Sequence, residues 1–246
     1  MNILVCISKS PDTTSKIAFT DGNTKFDENG VQYIVNPYDE WYALVRALEL
    51  KEENGGNVTI ITVGQAADEA VIRKALAIGA DEAVRIDAQP LDGYEVAVQI
   101  TNYAKENNFD LILTGKETLD FNGSQVGAMV AEGLDLPYIA LASKLDLNGQ
   151  TLSLEQEVSG GVQVLEVNLP AVISAAKGMA EQRIPNMRGI MAARTKPLKV
   201  VPAYATETFT AFTSFEMPPA KTACKMINPD NMDELVSLLH NEAKVI

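Results

Sequence analysis

Short apolar segments alternating with amphipathic helical stretches predict an α/β chain built on a mostly parallel sheet. Three observations carry the prediction. Asn2–Ile7 (NILVCI), Asn57–Val63 (NVTIITV), Ala83–Ile86 and Leu111–Thr114 are short runs rich in Val, Ile and Leu, as strands buried on both faces are. Between them, Pro37–Glu52, Ala67–Ile78 and Tyr94–Asn107 carry apolar residues at helical period. Strand and helix in succession is the order of βαβ units, which lay their strands side by side in parallel and give a Rossmann-like sheet with helices on both faces.

Each element has its local reason. In "VQYIVNPYDEWYALVRALEL", Trp41, Leu44, Val45 and Leu48 fall at i, i+3, i+4 and i+7, one apolar face of a helix. Asn36 suits the N-cap, Pro37 the first helical position, and Asp39 the third, where a carboxylate can reach back to the cap. Capping leaves Tyr38 unexplained: on a first turn with free N–H groups it is either core packing or a ligand contact. Before this helix, Asn29-Gly30 lies between two β-like runs and reads as a hairpin inserted after the first strand. "ALAIGADEAVRID" ends a helix at Gly79 and resumes a strand at Ala83.

Beyond Leu136 the pattern becomes alternating, with turns at Asn148-Gly149 and Gly160-Gly161, so antiparallel strands are expected at one edge of the sheet. From about Gln182 it changes again. "RIPNMRGIMAARTKPLKVVPAY" holds Arg183, Arg188, Arg194, Lys196 and Lys199 and no acid. A loosely patterned stretch with Pro218-Pro219 follows, then a helix capped by Asn231 and Glu234 with Met232, Leu235, Val236 and Leu239 on one face. The chain is therefore expected to divide into an α/β domain, residues 1–182, and a further segment with a C-terminal arm, residues 183–246. A tethered amphipathic helix cannot bury its face alone; it packs on its own sheet or on another chain.

Composition narrows the chemistry. The 246 residues carry a net charge of −13, the wrong sign for broad contact with nucleic-acid phosphates. No apolar run approaches the length of a membrane span, and "MNILVCISKSPDTT" lacks the basic start of a secretory signal, so a cytoplasmic protein is expected. The two cysteines, Cys6 and Cys224, have no CxxC partner, and a single histidine, His240, leaves no material for a Ser-His-Asp triad or a His-rich metal site. Binding or carrying is favoured over catalysis.

Open parallel sheets bind ligands beyond the carboxyl ends of their strands. Three segments follow such strands: Ser8–Thr14, the turn after Val63, and "GKETLDFNGSQVGAM" (115–129). Lys9 and Asp12 could line a cleft there, although Asp12 also suits a turn cap after Pro11. The third segment enters a helix near Gly123-Ser124-Gln125, offering backbone N–H groups to an anion. It is neither G-x-G-x-x-G nor a Walker A sequence, which argues against phosphoryl transfer. With the Asn36–Asp39 helix start it describes a nucleotide cleft faced by two helix N-termini.

Several segments together resemble one family, the β subunit of electron transfer flavoproteins. "NPYDEWYALVRALELKE" is similar to its Asn-Pro-Phe-x-Glu-x-Ala helix start, with Tyr38 in the aromatic place. "KALAIGADEAVRI", "DLILTGKETLDFNGSQVGAMVAEGL", "EQEVSGGVQVLEVNLPAVISA" and "IPNMRGIMAAR" resemble further family segments, in order, across roughly residues 2 to 200. The resemblance implies an adenine-nucleotide-hydrolase-like sheet and a heterodimer with an α subunit that carries a redox-active FAD. It implies that the β subunit closes one side of the flavin site, holds AMP without a redox role, and wraps its partner with its C-terminal segment. Such pairs take electrons from acyl-CoA-type dehydrogenases and deliver them to a membrane quinone reductase.

By position, the resemblance assigns AMP to Cys6, to Asn36, Pro37, Tyr38 and Asp39, and to Val63. It also assigns the loop made of Gly115, Lys116, Glu117, Thr118, Leu119, Asp120, Phe121, Asn122, Gly123, Ser124, Gln125 and Val126. Tyr38 and Thr13 would lie toward the flavin, and Ile184 stands in the place of an apolar anchor for dehydrogenases. The chain departs from the family pattern in a shortened stretch before Ile184, in Thr13 where some members have tyrosine, and in "LDFNGSQVG". Some relatives bind a second FAD at that loop and bifurcate electrons from NADH, which is the main alternative. A stand-alone adenine-nucleotide-binding protein is the other.

Overall fold

The computed structural model describes residues 1–37, 39–221 and 223–246. Along the chain lie β1 (Asn2–Cys6), β2 (Lys9–Pro11), β3 (Phe19–Thr20), β4 (Lys25–Phe26), β5 (Tyr33–Val35), α1 (Asp39–Asn54) and β6 (Asn57–Gly64). Then come α2 (Glu69–Ile78), β7 (Glu82–Asp87), α3 (Gly93–Glu106), β8 (Leu111–Gly115), α4 (Val126–Leu134), β9 (Tyr138–Asn148) and β10 (Thr151–Val158). The remainder is β11 (Gly161–Asn168), β12 (Ala171–Ala175), α5 (Met187–Ala193), β13 (Leu198–Pro202) and α6 (Met232–Leu238).

Nine strands form one sheet in the order β11-β10-β9-β12-β8-β1-β6-β7-β13. Every pair from β9 to β13 across that order is parallel, and the antiparallel pairs are those of β10 with β9 and with β11 at one edge. The fold is the α/β, Rossmann-like arrangement that the strand–helix alternation predicts. Side chains of β1 alternate between two cores, as a period of two requires. Ile3 and Val5 pack with Leu44, Leu48, Ile72 and Leu76 of α1 and α2, whereas Leu4 and Cys6 pack with Ile100, Tyr103 and Val130 of α3 and α4. Burial on both faces is why these strands read as unbroken apolar runs.

Sequence order positions the crevice. From β1 the chain builds β6 and β7 on one side, then returns to place β8 on the other. The carboxyl ends of β1 and β8 are thus a topological switch point, where crossovers leave in opposite directions and open a cleft. At this seam α1 begins against the end of β8. A Cβ on Gly115 would lie 2.8 Å from Cγ of Glu40, 2.9 Å from its backbone nitrogen and 3.1 Å from Cβ of Asp39. Only a glycine lets helix and strand come that close.

Several expectations are corrected. Asn29-Gly30 is not the hairpin turn of the insertion: the tight hairpin joins β3 to β4, with Asp21, Gly22 and Asn23 all at positive φ. Asn29-Gly30 makes a separate turn before β5, which pairs with β2. α1 starts at Asp39 rather than Pro37. β12 does not extend the antiparallel edge but inserts between β8 and β9 as a parallel strand, its five residues all buried. The segment after residue 183 supplies β13 to the same sheet, so the sheet continues beyond residue 182 and the chain leaves it only after Pro202.

The basic run is partly absorbed at home. Arg183 pairs with Glu52 at 2.7 Å, and Nζ of Lys196 donates to the carbonyls of Leu76, Gly79 and Ala80 at the C-terminal end of α2, where a cation is favoured. Beyond β13 the chain runs back across the carboxyl-end face. Thr208 bonds Glu95, the amides of Phe209 and Thr210 each donate to Oδ2 of Asp92 at 2.9 Å, and Phe212 stacks between Phe121 and Phe215. Phe215 stacks on Phe19 at 4.9 Å and its amide donates to the Asn23 carbonyl. The terminal α6 is capped by Asn231 as expected but buries no residue.

Two substitutions test this architecture. Asp92 caps α3 with one carboxylate oxygen, through the Glu95 amide, and clips the tail with the other. Asp92→Ala should leave α3's first turn frayed and speed tryptic cleavage at Lys221 and Lys225 severalfold; an unchanged digestion rate would contradict the clip. Gly115→Ala forces overpacking against a backbone atom, with an expected loss of roughly 1–3 kcal/mol in chemical denaturation. An unaltered midpoint would show that the α1–β8 seam is looser than its contacts indicate.

Candidate functional site

The crevice has four walls: the exit of β1, the start of α1, the loop after β8 and the first turn of α4. Asn36 joins two of them. Its side chain is 2% exposed, its Nδ2 donates to the Glu117 carbonyl at 2.8 Å, and its Oδ1 accepts from the Leu119 amide at 3.3 Å. Asn36 therefore lies three residues ahead of the first helical residue and clamps the neighbouring loop, a different task from the expected N-cap. Pro37 falls in the turn before α1, and Tyr38 lies outside the described residues.

The loop from Gly115 to Gln125 is shaped by its own polar groups. The Asn122 amide donates to the Thr118 carbonyl, and the Ser124 hydroxyl donates to the Lys116 carbonyl at 3.0 Å. Asn122 and Ser124 both take left-handed backbone, at φ 51° and 50°, a conformation Asn tolerates and Ser rarely adopts. Leu119, Asp120, Phe121, Asn122, Gly123, Ser124 and Gln125 are exposed; Lys116, Glu117 and Thr118 are half-buried. Gln125 places no side-chain cap on α4, and the first turn of α4 carries no acid. Its leading N–H groups, from Val126 onward, are thus open to an anion with the helix dipole behind them. Beside them, Oγ1 of Thr114 is buried and has no hydrogen-bond partner among the described residues.

The second helix start is of opposite character. Asp39 and Glu40 occupy the first turn of α1, and both are buried. Burial raises the Asp39 carboxyl above its usual range against the pull of Lys116, which itself pairs with Glu117 at 2.7 Å. Glu40 is pushed up to about 8, chiefly by burial, although the Ser8 amide and hydroxyl both donate to it. The two helix starts expected to face the cleft thus differ in charge: α4 opens without an acid, α1 with two.

The other expected residues are dispersed around this cleft. Cys6 ends β1, buried, with burial driving its thiol far above the ordinary value. Val63 stands near the carboxyl end of β6, half-buried. Thr13 is exposed on the turn that Asp12 closes by accepting from the Thr14 amide and hydroxyl. Lys9 is engaged elsewhere, paired with Asp68 at 2.7 Å and set over the Tyr33 ring. Ile184 lies apart, 80% exposed, beside a hollow of about 400 Å³ between α5 and the end of α2. Among the described residues no cluster of three or more His, Cys, Asp or Glu could hold a metal, and no helix is long and apolar enough to cross a membrane.

The sequence pattern placed the Ser8–Thr14 segment beyond the first strand but singled out neither Ser8 nor Glu40. The available signal was helical phase. Glu40 stands four residues before Leu44, on the stripe that faces the core, and a carboxylate there is out of place unless it has a partner.

Residues 23–206 match the family model of the electron transfer flavoprotein domain. The electron transfer flavoprotein subunit beta of Bacillus subtilis (strain 168) is 38% identical, with the whole of both chains covered. A protein of the same name from Syntrophomonas wolfei is 39% identical over 91% of this chain and 88% of its own. Protein FixA of Azotobacter vinelandii is 35% identical over 81% and 74%. A family match over residues 23–206 and a relative aligned from end to end lead to one conclusion: the chain belongs to the electron transfer flavoprotein family, among its beta subunits.

Proposed function

We propose that this chain is the beta subunit of a heterodimeric electron transfer flavoprotein and that its β1–β8 crevice holds AMP as a structural nucleotide. The observation that carries the reading is the α4 start: uncapped, free of acid, beside a buried unpartnered Thr114 hydroxyl, and with its loop clamped by Asn36. One phosphate suits such a set of amides, and an acidic chain without a lysine cradle suits little more. Gly123, Ser124, Gln125 and Val126 would hold the phosphate, while Cys6 and Val63 line the strand ends. Cys6 is too buried and too weakly acidic to act as a nucleophile. The chain's part is to bind and orient; the FAD of the alpha subunit supplies the redox chemistry when bound.

The partner assignment draws on the arm. α6 leaves Met232 and Val236 about half exposed, a face that a second chain would cover. Tyr38 and Thr13 would approach the flavin from the beta side. Ile184, with Met187 and Met191 also exposed on α5, would dock acyl-CoA-type dehydrogenases, and the pair would pass electrons to a membrane quinone reductase from the cytoplasm.

Co-expression with the alpha subunit and release of cofactors tests the reading. One FAD and one AMP per heterodimer is the expected count. Two flavins with NADH oxidation would replace it by the bifurcating type, and a stable chain that takes neither partner nor adenylate would overturn it. Asn36→Ala removes both clamp bonds. It should release AMP at least several times faster and raise amide exchange across residues 115–125, and unchanged release would discount the clamp.

A further inference from the structure

Glu40 is 6% exposed, and both of its oxygens are directed at one residue. The Ser8 amide donates to Oε2 at 2.7 Å, and the Ser8 hydroxyl lies 2.8 Å from Oε1. Ser8 itself is half-buried, immediately beyond β1 at the switch point. The amide bond has a fixed direction. The hydroxyl bond does not, because a hydroxyl can donate or accept. An ionised Glu40 takes the Ser8 hydrogen and leaves only lone pairs toward the cleft. A protonated Glu40 keeps the amide bond, donates its own hydrogen to Ser8 Oγ, and frees the Ser8 hydrogen for another acceptor.

We propose that Ser8 is a ligand-contact residue of the crevice and that Glu40 is its positioning residue, selecting through its own protonation whether Ser8 offers a hydrogen to a bound acceptor. The inference rests on the adenylate reading, since phosphate oxygens and purine ring nitrogens are the acceptors an adenylate brings. The charged groups acting on Glu40 are both acids, Asp120 in the loop after β8 and Asp39 on its own helix; the Ser8 hydrogen bonds pull the other way, and Glu40 in turn raises the neighbouring Cys6 thiol on β1. With burial the two acids hold the carboxyl up to about 8, so near neutral pH it is mostly the donor form. An anionic ligand then meets a neutral acid and a free hydroxyl hydrogen. Above that pH it meets a carboxylate and lone pairs.

Isothermal titration of the full-length chain with AMP, from about pH 7 to about pH 9.5, tests this in a range where the AMP phosphate, with a second pKa of about 6, is already ionised. Wild-type affinity should weaken by roughly tenfold as pH rises through the Glu40 transition, the loss of one charge-assisted hydrogen bond. Glu40→Gln keeps an amide acceptor for Ser8 N–H and a donor for Ser8 Oγ. It should bind with the low-pH affinity at every pH, and adding Ser8→Ala to it should remove that gain. Flat wild-type binding across the range, or equal affinity of the single and double variants, overturns the proposal and leaves the AMP site intact. Absence of AMP binding at all pH values overturns the site itself and this inference with it.

Stability supplies a second readout. A carboxyl raised on folding binds more protons in the native state, so the Glu40 contribution to stability falls as pH rises from the ordinary glutamate range to about 8 and levels off above it. The wild-type denaturation midpoint should therefore fall relative to that of Glu40→Gln across this window, and a constant or rising difference would overturn the proposal.

Discussion

The contact on which the rest depends is the close approach of α1's first turn to the end of β8. It is possible because Gly115 presents no side chain to Glu40 and Asp39. The approach brings the Asn36 turn within hydrogen-bonding range of Glu117 and Leu119, and so holds the loop that leads into α4. It also drives two carboxylates below the surface at the switch point. A helix start normally welcomes negative charge through its dipole. Here desolvation outweighs that welcome, and both carboxyls on the side of the cleft nearest α1 are raised above their usual range.

Charge is therefore partitioned across a narrow space. α4 opens with bare amides and no acid, α1 with two acids held toward their neutral forms, and Lys116 between them is tied to Glu117. The acids at this seam are in keeping with the net charge of −13.

The arm after Pro202 links this cleft to the outer surface. Its aromatic residues form a ladder from the β3–β4 ribbon to the loop after β8, with Phe212 between Phe215 and Phe121 at 5.5 and 5.7 Å. Phe121 and Phe212 remain more than 60% exposed, so the ladder is a stack laid on the surface, not a buried core. The arm is thus held by stacking and by Asp92 rather than by an apolar core.

Much of the fold was legible because its signals are local. Apolar runs such as NILVCI, the Leu44-Val45-Leu48 stripe and the glycine turns at 149 and 160 depend on residues close in sequence, and each found its place. The pattern of five segments was also enough to suggest the family. What the sequence could not determine is decided between distant residues. That Asn36 clamps a loop 81 positions away instead of capping its own helix follows from which strands become neighbours. The same holds for β12, whose insertion beside β8 depends on register across the sheet, and for Glu40, whose burial exists only once β1, α1 and β8 converge. Local periodicity reports which face of an element seeks the core; only the assembled sheet sets which polar group is left there and what it must bond.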